Sequence, residues 1–202
     1  MARYTGPKCR KCRRFGAPLC GTAKCAVIRR PNPPGPRSLR RRKISDRGQQ
    51  LIEKQKVRYA YGLMEKQFRH YYEVAVRRPG VTGDLLMRAL EERLDNVVYR
   101  LGFSATRAQA RQLVSHGLVA VNGKKLDVPS ARVRVGSTVA LTERGARSEY
   151  AKILKLEIDA RDVPGWLEID RSALVGRMVA QPGPGDYDSI FNPNAIVEYY
   201  SR

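Results

Sequence analysis

All four cysteines, Cys9, Cys12, Cys20 and Cys25, fall within CRKCRRFGAPLCGTAKC, a stretch with no acidic residue. So short a segment cannot enclose a hydrophobic core, so its order must come from a cross-link or a bound ion. The spacing is C-x2-C, seven residues, then C-x4-C. Two chelating pairs with short gaps suit a tetrahedral metal site, each pair wrapping a tight turn around the ion. Gly16, Pro18 and Gly21 supply turn chemistry between the pairs. Neighbouring Lys8, Arg10, Lys11, Arg13, Arg14 and Lys24 favour thiolates and offset the charge of about −2 that four thiolates leave on Zn²⁺. The start of the chain has no apolar leader run, which points to a reducing cytoplasm, where structural disulfides are rare. A structural zinc ion is expected. An iron–sulfur cluster is the alternative, and unligated thiols the third reading. No His lies nearby, so an open catalytic zinc is not expected.

Charge supplies the second constraint. The chain of 202 residues carries 39 Lys+Arg against 19 Asp+Glu, a formal net charge of +20. Residues 1–45 hold fourteen cations and no acid, residues 46–158 hold twenty-one against twelve, and residues 159–202 hold four against seven. A basic arm followed by a basic domain is the footprint of a nucleic-acid binder. No apolar run approaches the ~20 residues of a spanning helix, so a membrane is not expected as the polyanionic partner. After the cysteines, AVIRRPNPPGPRSLRRRK reads as a proline-stiffened basic linker. Lys8, Lys11, Arg13, Arg14, Arg29, Arg30, Arg40, Arg41, Arg42 and Lys43 of this arm are candidate RNA contacts. Lys54 and Lys56, on the first long helix, join them.

Ser45 or Asp46 caps that helix, which runs through GQQLIEKQKVRYAYG and stops at Gly62. In the next helix Phe68, Tyr71, Tyr72 and Ala75 recur at helical spacing, a stripe that reads as core. DLLMRALEERLDNVVYRLG reads as one amphipathic helix with Leu86, Leu90, Leu94, Val97 and Leu101 on its apolar face. Thr106 and Gln109 form a capping box for a further helix. Ala110, Leu113 and Val114 of that helix are expected to face inward, with Arg107 and Arg111 outward. His116 and Gly117 end it. LVAV followed by Asn122–Gly123 and Lys124–Lys125 is a strong hairpin signal. ARVRVGSTVAL reads as further alternating strand, with Val133 and Val135 on one face and Arg132 and Arg134 on the other.

The expected fold is α+β: a mostly helical domain, a small helix–helix–β-hairpin RNA-binding module, and a basic metal-organised arm. Domains are expected at 1–45 (arm), 46–91 (helical), 92–157 (RNA-binding module) and 158–202, the last packing back on the helical domain. The cations of the module converge on one edge, a surface suited to RNA phosphates.

RLDNVVYRLGF, ARQLVSHG and VAVNGKKLDVPS closely resemble the RNA-binding module named after the fourth protein of the small ribosomal subunit. The likeness extends to EKQKVRYAYGLMEKQF, to the terminal IVEYYSR, and to GPKCRKC and RRPNPPG. The chain is thus similar to the cysteine-containing bacterial members of that ribosomal family. The resemblance implies direct binding to small-subunit ribosomal RNA, nucleation of its five-prime domain, and a contribution to decoding fidelity. It implies a place beside the fifth small-subunit protein and near messenger RNA as it enters the subunit, hence a cytoplasmic, ribosome-bound protein. It assigns metal binding to the four cysteines, and RNA contact to Arg107, Arg111, Gln112 and His116 and to the hairpin from Asn122 to Lys124 and Lys125.

Two rivals stand beside this reading. Pseudouridine synthases carry the same kind of module and an Arg-Leu-Asp stretch, present here as Arg93, Leu94 and Asp95. The helical setting favours a structural Asp95 paired with an arginine. A zinc-bearing DNA regulator would instead need a base-reading recognition helix. No phosphate-cradling glycine loop, Ser/His/Asp arrangement or paired carboxylates in a cleft appear, so neither catalysis nor a small-molecule substrate is expected.

Overall fold

The computed structural model describes residues 4–36 and 43–201. Arg40, Arg41 and Arg42 therefore lie outside the described residues. The chain forms two compact units, residues 1–87 with 188–202 and residues 88–187. Helices and one small antiparallel sheet make up an α+β fold.

The first unit begins with α1 (Lys8–Phe15), which ends at Gly16 in the left-handed conformation, and the single turn α2 (Ala26–Arg29). In α3 (Asp46–Ala60) the hydroxyl of Ser45 accepts from the Gly48 N–H, the expected cap. Gly62, at φ 65°, turns the chain into α4 (Glu65–Val76). Phe68 and Ala75 of the aromatic stripe are buried, as its period requires. The boundary between the units falls within α5 (Thr82–Glu91).

The second unit opens with a departure from the sequence reading. The expected single helix breaks after Glu91, and α6 (Leu94–Arg100) starts afresh beyond an extended Arg93. Residues 129–133 fill the gap: the N–H groups of Leu94 and Asp95 donate to the carbonyls of Ala131 and Pro129, and Val133 N–H donates to Glu92. These bonds satisfy backbone groups that a helix break would otherwise leave buried and unpaired. They also divert the segment predicted as alternating strand, so Val133 is buried while Val135 is 48% exposed.

Next come α7 (Arg107–Ser115), β1 (Val119–Val121) and β2 (Lys124–Lys125). Asn122 and Gly123, at φ 50° and 75°, make the hairpin turn. β3 (Thr138–Leu141), α8 (Glu143–Ala146), α9 (Glu149–Glu157), β4 (Leu167–Asp170) and β5 (Val175–Met178) complete the unit. The sheet order is β2-β1-β3-β5-β4, antiparallel throughout. Residues 158–187, expected to return to the helical domain, instead extend this sheet through the pairing of β5 with β3. Leu94, Val97, Leu101, Val114, Val119, Val139, Leu154 and Met178 share its core.

Only the last stretch rejoins the first unit. There α10 (Pro193–Ser201) packs on α3, and Tyr200 stacks on Tyr72 with ring centroids 4.7 Å apart. Gly83 leaves no room for a Cβ, which would lie 2.9 Å from Pro193.

Candidate metal centre and nucleic-acid interface

Cys9 and Cys12, three apart, lie on one side of α1. Cys20 follows the turn after the helix, and Cys25 immediately precedes α2. The tight turn of the first pair is thus a turn of helix. The sulfurs of Cys9, Cys20 and Cys25 lie within 4.8 Å of one another. Cys12, expected as the fourth ligand, is not one of that close set, although its thiol touches those of Cys20 and Cys25. Cys12 and Cys25 are buried, Cys9 and Cys20 partly so.

Burial pushes the Cys12 thiol up to about 12, and its contacts with Cys25 and Cys20 add to the rise. Burial also raises Cys25. At Cys20 the same burial is outweighed by hydrogen bonds from the Thr22 hydroxyl and N–H and from Cys25 and Cys12, which bring it down to about 7. Three soft donors within 4.8 Å of one another, with the Cys12 thiol beside two of them, fit a thiophilic ion.

The knot is fastened to α3. The Tyr59 ring meets Tyr4 edge-on at 5.4 Å and Phe15 at 5.9 Å, with the Lys11 ammonium 4.6 Å and the Arg58 guanidinium 4.4 Å from its centre. Lys11, a candidate RNA contact, is therefore engaged with Tyr59 and Tyr4. Arg13 is turned onto the backbone, donating to the carbonyls of Asn32 and Pro33. Lys8, Arg14, Arg29, Arg30 and Lys43 are exposed.

Two expected contacts on α3 need correcting. Lys54 is 3% exposed, paired with Glu65 at 2.6 Å and 4.9 Å from the Tyr199 ring centre. A cation so enclosed belongs to the interior of the unit. Lys56 is bound to Glu53 at 2.7 Å and mostly covered.

In the second unit the break between α5 and α6 organises a buried ionic network. Glu91, fully buried, binds Arg100 at 2.7 and 3.0 Å and accepts from the Asn96 amide. Arg107 donates to Asn96 Oδ1 at 2.8 Å and lies 4.6 Å from the Tyr99 ring centre. Asp95 takes Arg93 at 2.7 and 3.0 Å and Arg111 at 3.2 Å. Glu92 pairs with Arg132.

Arg107 and Arg111 therefore face inward, against expectation, because the break aims Glu91, Asp95 and Asn96 at α7. The exposed face of α7 carries Gln112, Ser115 and His116. Asp95, expected to be structural, is held between two arginines and closed to solvent, which leaves the Arg-Leu-Asp stretch no catalytic access.

The exposed rim of this unit is built around the end of α7. The stem of Lys125 lies over Gly117, whose carbonyl accepts from the Thr142 hydroxyl at 3.3 Å. Thr142 caps α8, and Gly145 there lies so close to the Leu118 carbonyl that a Cβ would not fit. His116, Lys124 and Lys125 are exposed near this joint, together with Arg144 of α8 and Arg147 just after it, which sequence reasoning missed. The Thr142-Glu143 cap was the available signal for that turn. Asn122 Oδ1 accepts from Thr138 N–H at 2.8 Å and so fixes the hairpin.

Residues 3–91 match the family described as Ribosomal protein S4/S9 N-terminal domain, and residues 92–139 match the S4 domain. The chain is 48% identical over its full length to the full-length small ribosomal subunit protein uS4 of Dehalococcoides mccartyi. It is 50% identical, again over all of both chains, to the proteins of that name from Desulforamulus reducens and Akkermansia muciniphila. The chain belongs to the uS4 family. Members of the uS4 family are ribosomal proteins, not enzymes. No helix among the described residues is long and apolar enough to cross a membrane.

Proposed function

We propose that this chain is a structural constituent of the small ribosomal subunit that binds small-subunit ribosomal RNA directly. In the cytoplasm it nucleates assembly of the five-prime domain and contributes to decoding fidelity. Its protein neighbour is the fifth small-subunit protein, and messenger RNA passes close by as it enters the subunit. Full-length similarity to uS4 proteins supports this reading. The observation that carries it is the set of exposed cations on fixed elements: Lys124 and Lys125 on a pinned hairpin, and Arg29 and Arg30 beside the thiol knot. Cys9, Cys12, Cys20 and Cys25 hold a structural Zn²⁺, which ties α1 to α2. Four thiolates and no nearby histidine make that site a closed one, without an open position for chemistry.

The test is binding to a transcript of the five-prime domain across a salt series, with duplex DNA as competitor. Affinity should fall with a log–log slope of about −0.7 to −0.9 per phosphate neutralised, summed over several contacts. A slope worth one or two contacts, or equal affinity for the DNA, would contradict the proposal. Metal analysis of the purified protein should return about one zinc per chain; iron with sulfide would replace zinc by a cluster.

A further inference from the structure

The stretch from Cys25 to Pro33 leaves α1 and comes back to it. At one end Cys25 is buried among the thiols. At the other, Arg13 donates from Nε to the Asn32 carbonyl at 2.9 Å and from Nη2 to the Pro33 carbonyl at 3.4 Å. Cys9 and Arg13 are four apart, so one short helix carries a fastening for each end of the loop. Between the fastenings stand Ile28, Arg29 and Arg30, all exposed, Ile28 at 67%. An apolar side chain in water beside two cations suits a surface that alternates sugar and phosphate. A loop closed before binding has already lost the freedom that contact would otherwise remove.

We infer that Arg13 is a positioning residue rather than a phosphate contact: its fork closes the loop on α1 and presents Ile28, Arg29 and Arg30 to RNA. The inference rests on the RNA-binding reading above. The rigid guanidinium can bridge two successive carbonyls, whereas a lysine ammonium offers the same charge without the fork. Charge and geometry are therefore separable.

The experiment uses the full-length, zinc-loaded protein and a transcript of the five-prime domain. Arg13→Lys, Arg13→Gln, and Arg29→Gln with Arg30→Gln are compared, singly and combined. Arg13→Lys should speed amide exchange over residues 27–36 in the free protein without changing zinc content. It should weaken RNA binding about tenfold, as much as Arg13→Gln does. Added to the Arg29/Arg30 changes, it should cost less than a further twofold, since the loop would have nothing left to present. Wild-type affinity in Arg13→Lys alongside a loss in Arg13→Gln would make Arg13 a direct charge contact and overturn the inference. Unaltered exchange over 27–36 would overturn it as well. Failure of the RNA reading itself looks different: the wild-type protein would then bind weakly, with a shallow salt slope.

Discussion

One buried carboxylate, Asp95, binds two guanidiniums, Arg93 and Arg111. Asp95→Ala removes a buried carboxylate from both pairs at once, and breaking a buried ion pair costs about 3–5 kcal/mol. Arg111→Gln should destabilise by a similar mechanism, with Asp95 keeping only Arg93. Lys124→Ala, on an exposed hairpin position, should change stability by no more than about 0.5 kcal/mol. It should instead lower the salt slope of RNA binding by about 1. Urea unfolding and salt titration of the same variants separate the two classes. A stable Arg111→Gln protein with crippled RNA binding would return Arg111 to the interface. The spacing of Arg107 and Arg111 correctly put them on one helical face, but spacing carries no sign. Which way the face points was decided by Glu91, Asp95 and Asn96, delivered by a helix break that no periodicity announces.

The docking of α10 on α3 and α4 shows how an element is held by aromatic packing around a charge pair. Tyr200 stacks on Tyr72 and donates to Glu65 at 2.8 Å, Lys54 reaches the same carboxylate, and Gln50 donates to Glu198 at 2.8 Å. Burial raises the pKa of Glu65, but hydrogen bonds from Lys54 and Tyr200, with the charges of Lys54 and Arg58, outweigh it and hold the carboxyl below its ordinary 4.5. A carboxyl depressed in the folded state contributes stability that is fully present above its unfolded value and lost as pH falls through the folded one. The Glu65 side chain is 45% exposed, so solvent screens these contacts and Glu65→Gln should cost about 1 kcal/mol at neutral pH. It should also flatten the acid limb of stability against pH below about 4.5. An acid limb identical to that of the wild type would show that Glu65 is merely solvated.

At this scale much was legible in the sequence: the Ser45 and Thr106 caps, the Phe68 stripe and the Asn122–Gly123 turn are each written in neighbouring residues. β4 and β5 were not, because β3, the inner partner of β5, lies more than thirty residues earlier, and β4, which pairs only with β5, alternates too briefly to stand out.

On the scale of the whole molecule, the two units rest on different sources of order. The second has a continuous apolar core from Leu94 to Met178. Around the thiols the first has little to bury, chiefly Ala17, Leu19 and Val27, and α1 carries no acidic residue in its first turn to oppose the helix dipole. A net charge of +20 adds self-repulsion, which is densest in the acid-free first 45 residues. With Zn²⁺ held by the thiols as proposed, withdrawing it with a chelator should abolish amide-exchange protection across α1 and α2 while leaving β1, β3 and α6 protected to the same degree. Tyr59, which fastens the knot to α3, sets how far the loss spreads: the change should reach the face of α3 around Tyr59 and fade toward Gln50. Tyr59→Ala in the zinc-loaded protein should loosen the contact between α1 and α3 without releasing the metal, since all four thiols come from outside α3. Simultaneous loss of protection in both units on chelation would mean that the ion stabilises the entire chain, and metal retained after Cys12→Ser and Cys25→Ser would mean that it is not held by these sulfurs.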